Sequence, residues 1–255
     1  MNLRQHARLA RTCLCVLAAW AAGEGCAGGL EVTPTTLSLP HQQTAGSLVL
    51  RNTGDAPLRA QIRTFRWTQN AQGDQLDPTE ALLASPPWLR LEAGQEQVVR
   101  IIRATAHVSG VEDQAFRLII DELPAPQSTE RRPGTSAVPG VAQLSFHMRY
   151  SLPVFIGDTL APAAVAPQLV WRIESGPAGW LLQVHNPTPA HAQVADLSAR
   201  LDDGSMRMLR GGLIGYVLAQ QTMQWGVRVP ADAGRIMHFE ALINRETWVL
   251  DVRRP

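Results

Sequence analysis

Residues 141–157 read VAQLSFHMRYSLPVFIG, and as far as Tyr150 they alternate without a slip. Ala142, Leu144, Phe146, Met148 and Tyr150 fall on one side of an extended chain, and Gln143, Ser145, His147 and Arg149 on the other. Period-two alternation of this kind marks a strand with one apolar face. The preceding stretch, PAPQSTERRPGTSAVPG (124–140), is so rich in Pro, Gly and Ser that it predicts a loop. A structureless segment of that length within a compact unit is usually functional or disordered.

On both sides of this stretch, short alternating apolar runs recur between Gly, Pro, Asn and Asp, with little sign of long helical periodicity. LEVTPTTLSLP (30–40) reads as an edge strand interrupted at Pro34, which cannot donate to a central ladder. GSLVLRNTG (46–54), RAQIRTFRWTQ (59–69), QEQVVRIIR (95–103) and FRLIIDELP (116–124) read as further strands, the second changing its apolar face after Ile62. NTGD (52–55) and QGD (72–74) supply turn chemistry. With 141–150 and SLPVFIG (151–157) these make seven strands in about 130 residues, the density of an immunoglobulin-like β-sandwich. A Pro/Ala-rich link, APAAVAP (161–167), leads into a second all-β set running from QLVWRIES to TWVLDV. Trp171, Trp180, Trp225 and Trp248 are expected to supply much of its core. The predicted fold is all-β: two immunoglobulin-like β-sandwich domains, over 28–157 and 158–255.

Residues 1–27 are expected to be a cleaved signal peptide. Arg4, Arg8 and Arg11 precede an apolar run from Cys13 to Ala22, and small residues follow around Gly25-Cys26-Ala27. The run is about half of the ~20 residues a bilayer span requires, so the mature form should have none. All three cysteines (Cys13, Cys15 and Cys26) lie in this segment, leaving a secreted chain that holds together without disulfides. The chain has no lysine, and losing Arg4, Arg8, Arg11 and Glu24 shifts its formal charge from +1 to about −1. No basic excess points to nucleic acid.

No catalytic or metal-binding constellation is legible. His107, His147, His185, His191 and His238 stand at no metal-ligand spacing from Cys, Asp or Glu, and read as surface or turn residues. A nucleophile elbow, a phosphate-cradling glycine loop and an HExxH motif are all missing. Asp121 and Glu122 are strand neighbours, so they point to opposite faces, and one of them is expected to cap a turn before Pro124. Neither a cofactor nor enzymatic activity is expected.

Several stretches resemble a known family. FRLIIDELP, a loose loop, and an alternating strand running into YSLPVFI form the first motif. SPPWLRLEAGQEQVVRI (85–101) is the second, and HNPTP (185–189), followed by the alternation of Val194 and Leu197, is the third. Together they are similar to the periplasmic chaperones that assemble pili by the chaperone–usher route, over most of residues 30–255. RTFRWTQ and MRYSLPVF look closest to the archaic, spore-coat-like branch.

The resemblance implies two immunoglobulin-like domains set at an angle, a periplasmic location and donor-strand complementation. In that process the chaperone lends its seventh strand to a pilin or fimbrial subunit that lacks one, until an outer-membrane usher exchanges it. On this resemblance Ala142, Leu144, Phe146, Met148 and Tyr150 form the subunit-binding face, which self-association could cap in the free chaperone. The family's best-studied members hold the subunit's C-terminal carboxylate with an arginine in the first strand and a lysine late in the seventh. Here VTPTT (32–36) puts Pro34 or a neighbour at the first position, and the chain has no lysine. Arg149, Arg100 (which interrupts the apolar VVRII) and Arg103 are the candidate anchors, because a charge-assisted bond to a carboxylate still needs a cation. The alternative function is a secreted two-domain adhesin or coat component, which should itself have an incomplete fold.

Overall fold

The computed structural model describes residues 29–70, 73–104, 112–124, 147–158, 160–176, 179–228 and 235–253. The opening segment forms β1 (Leu30–Thr33), breaks at Pro34 and resumes as β2 (Leu37–Leu39). The break does more than mark an edge, because β1 joins one sheet and β2 the sheet that faces it. The first sheet is completed by β3 (Ala45–Asn52), β8 (Glu96–Arg103) and β6 (Leu82–Ser85), in the order β1-β3-β8-β6. The facing sheet contains β4 (Leu58–Asn70), β5 (Gly73–Pro78), β9 (Gln114–Leu123) and β10 (Arg149–Ile156), in the order β2-β10-β9-β4-β5. A short β7 (Trp88–Leu91) pairs with the start of β4.

Between the two sheets lies a core of alternating inward residues, among them Leu50, Val99 and Ile101 facing Ile62, Leu118 and Val154. The sequence patterns do not predict β5, β6 and β7 as strands. β6 and β7 each contribute a single fully buried apolar residue, Leu82 and Leu91, and β5 contributes none. Pro78, Pro86 and Pro87 also punctuate this region.

The second sandwich has one sheet of β11 (Val170–Gly176), β12 (Gly179–His185), β15 (Thr222–Val227) and β18 (Val252–Arg253). Its other sheet comprises β13 (Ala192–Leu201), β14 (Met206–Val217), β16 (Ile236–Ile243) and β17 (Glu246–Leu250). Trp171 and Trp225 are buried in its core, and Trp180 and Trp248 pack against it. β14 escapes a pattern reading because it is an edge strand, largely exposed until Ile214, and carries Gly211 and Gly212. HNPTP is a polar staple within this unit. The fully buried Asn186 amide donates to the carbonyls of Ala190 (2.8 Å) and Val217 (3.0 Å), and its oxygen accepts from the Thr188 N–H and hydroxyl. The APAAVAP link is no open tether, since its Val165 and Ala166 are buried in the second core, as is Leu169 just after it.

The change of face in β4 has a physical cause. Ala60 and Ile62 point into the first core, whereas Trp67 and Gln69 belong to the opposite, outward face, which the second sandwich covers. Trp67, Ala115 and Phe155 meet Tyr216 and Leu218 in a small apolar cluster. The buried Gln69 side chain spans the junction, donating to the Tyr216 carbonyl and accepting from the Leu218 N–H, both at 2.9 Å. Gly157, which follows β10, lies against the Asp113 carboxylate and leaves no room for a Cβ.

Candidate functional site

β10 is paired with β9 along its whole length, from Arg149 opposite Asp121 to Ile156 opposite Gln114. Its other side is covered only in part, because β2 pairs in parallel with Val154–Ile156 alone. From Arg149 to Pro153, no strand among the described residues lies against the outer edge.

Two hydrogen bonds fix which backbone groups face that edge. The Met148 carbonyl accepts from the Glu122 N–H (2.9 Å), toward β9, and the Gly157 N–H donates to the Leu39 carbonyl (3.0 Å), toward β2. Peptide groups alternate sides along a strand, so Arg149 and Ser151 turn theirs outward. Pro153 also faces out but has no N–H to leave unpaired, and the open edge ends where β2 begins.

Side chains follow the same parity. Leu152, Val154 and Ile156 lie in the first core, and Tyr150 packs at its margin. Met148 is next on that face, has run past the core and is 51% exposed. Ala142, Leu144 and Phe146 continue the pattern in the sequence but lie outside the described residues.

Glu122 marks the point where the strand enters the sheet. Its carboxylate accepts from the Leu30 N–H (3.1 Å), the Met148 N–H (3.3 Å) and the Tyr150 hydroxyl (3.4 Å). Burial, followed by the charge and hydrogen bond of Glu122, raises the Tyr150 phenol above its ordinary range. Asp121 points to the opposite face, where it binds Arg63 (2.7 Å) and Arg149. Burial pushes its carboxyl up, but the bonds and charges of Arg149 and Arg63 outweigh this and hold it below the usual carboxylate range. The pair thus divides between the two faces as strand neighbours must. The expected turn cap before Pro124 is replaced by these contacts.

The three candidate arginines are not brought together. Arg149 sits on the open edge, its side chain 67% exposed beyond the bond to Asp121. Arg100 lies on the outward face of the first sheet, on β8, and is exposed, while its neighbours Val99 and Ile101 point inward. The apolar reading of VVRII therefore holds for one face only, and the charge stays in water. Arg103 is buried and donates through Nη1 to the carbonyls of His41 (2.6 Å) and Gln43 (3.2 Å), bracing the turn before β3.

A histidine read as a turn residue has a larger role. His191 stacks on Phe155 (centroids 3.4 Å apart, planes at 3°), and its Nδ1 lies 2.8 Å from Asp113 Oδ2, across the junction of the sandwiches. Only the unbroken apolar run Val154-Phe155-Ile156, which departs from the alternation before it, hinted that Phe155 needed a partner on its outward face. Among the described residues no cluster of three His, Cys, Asp or Glu could hold a metal ion. No described helix is long and apolar enough to cross a membrane.

A family model described as pili and flagellar-assembly chaperone, PapD N-terminal domain, matches residues 29–159. No curated relative matches the chain. Among solved structures, one similar fold is the CsuC–CsuE chaperone–tip adhesion subunit pre-assembly complex of the archaic chaperone–usher Csu pili of Acinetobacter baumannii. The TM-score is 0.66 at 20% identity, over 89% of this chain and 99% of that one. The Salmonella enterica SafA pilin in complex with the SafB chaperone gives 0.59 at 21% identity, over 87% and 96%. The E. coli chaperone DraB gives 0.60 at 15% identity, over 89% and 97%.

Proposed function

We propose that this chain, which belongs to the pili and flagellar-assembly chaperone family, is a periplasmic chaperone that lends the strand ending in β10 to a pilus subunit and holds it until an outer-membrane usher takes it over. The observation that carries the reading is the half-covered edge of β10, which no strand among the described residues covers from Arg149 to Pro153, together with Met148 just upstream, which has run past the core and is half exposed. An added strand gains affinity from backbone hydrogen bonds along such an edge, and specificity from alternate side chains entering pockets. Ala142, Leu144, Phe146 and Met148 carry the right pattern to fill a groove in the subunit, with Tyr150 at the margin where the two cores meet. The first sandwich fills its own core from both sheets, which argues against a strand-deficient coat subunit or adhesin. No chemical step is required, and the reading involves no cofactor or enzymatic activity. Of the candidate anchors, Arg149 fits best, since it is exposed on the edge that pairs.

Ser151→Pro tests the strand-pairing step. The substitution removes an outward N–H at the middle of the open edge and leaves the bonds to β9 in place. Capture of a groove-bearing subunit co-expressed in the periplasm should fall at least about tenfold, with the melting temperature close to wild type. Wild-type capture by a folded variant would mean that this edge is not the one that pairs.

A further inference from the structure

The outward face of the six-stranded sheet changes character along its length. At one end Trp67, Ala115 and Phe155 are covered by the second sandwich. The other end is uncovered and basic. Strand register places Arg90 opposite Arg59, and Trp88 opposite Gln61, which is itself opposite Asp121 and so in line with Arg149. Arg63, on the same face, shares Asp121 with Arg149. Four guanidiniums (Arg59, Arg63, Arg90 and Arg149) therefore meet two carboxylates, Asp121 and the Glu92 that Arg90 reaches at 3.0 Å. Like charges directly opposite on one face destabilise a sheet, so the Arg59–Arg90 pair is a cost to the fold that nothing in the core requires. Trp88, beside them, is 53% exposed although it is a large apolar ring.

We infer that this basic face is a second docking surface, and that its occupant is an acidic flank of the same subunit that pairs with the β10 edge. The inference rests on the strand-pairing reading and adds to it the charge the subunit must carry. Arg149 belongs to both surfaces. A strand added beyond β10 extends this sheet, and its outward side chains stand beside Arg149 and Ser151. From β10 to β7 the face spans three strand spacings, about 14 Å, within reach of one loop of a bound subunit. The excess positive charge supplies complementarity to carboxylates, and Trp88 supplies an apolar contact at the far rim. Charges arranged in this way act mainly on the association rate.

The test follows capture kinetics of a groove-bearing subunit at low and high salt, comparing wild type, Arg59→Glu/Arg90→Glu, the milder Arg59→Gln/Arg90→Gln, and Ser151→Pro. Charge reversal should slow association roughly tenfold at low salt and leave dissociation unchanged. The difference should disappear near about 0.5 M salt, where screening is short-ranged, and the Gln pair should fall between. If both charge variants match wild type in rate and salt slope while Ser151→Pro fails to capture, the basic face is not a docking surface. If Ser151→Pro also captures like wild type, the strand-pairing reading falls, and this inference with it.

Discussion

Phe146→Asp should give a folded, soluble chaperone that no longer captures its subunit. Phe146 lies two residues before Met148 on a face whose next members, Tyr150 and Leu152, mark where the first core begins. At Met148 that face is already half in water, so a side chain farther upstream adds little to this domain's own stability. In a complex the balance reverses. Three large apolar side chains passing from water into a groove are worth roughly 5–9 kcal/mol before ordering costs. A carboxylate among them must be desolvated with no partner, which costs several kcal/mol more. Co-purification with the subunit and circular dichroism separate the two effects. An unfolded variant would place Phe146 in the chaperone's own core.

Phe155→Ala should be the most damaging single truncation at the junction. Phe155 is 2% exposed, and it faces away from the first core toward the second sandwich. It stacks on His191 and lies 5.9 Å from Trp67 and 5.5 Å from Tyr216, centroid to centroid. Truncation leaves a cavity between two packed units and strips the stacking partner from the Asp113–His191 pair. Losses of about 3–5 kcal/mol are usual for a buried Phe. Denaturant unfolding should show a loss in that range. A loss under about 1 kcal/mol would mean that each sandwich is stable without the junction.

The first core was legible where inward apolar residues alternate with polar ones on long strands, as in Ala60–Ile62 around Gln61 and Phe116–Leu118 around Arg117. β5 to β7 and β14 were not, because a strand that buries one side chain, or lies exposed at an edge, leaves no period to read. The junction was half visible: the face change after Ile62 is plain in the sequence, but its cause lies in Tyr216 and Leu218, about 150 residues away along the chain. The alternating strand stood out as a pattern. That its outer edge is left open depends on how far β2 reaches, and a three-residue strand after a proline carries no such signal. The arginines could be named but not sorted, because VVRII does not reveal that its Arg points to water while Arg103 braces a turn.

Amide hydrogen exchange at Ser151 reports directly on whether this edge takes up a strand from the subunit. In the free chaperone this N–H faces outward from an edge that β2 does not reach, whereas the Leu152 and Val154 amides face β9. On formation of a complex with a groove-bearing subunit, the Ser151 and Arg149 amides should become protected by orders of magnitude, since each gains a cross-strand hydrogen bond. A stable complex in which both amides exchange as fast as in the free protein would contradict strand pairing at this edge.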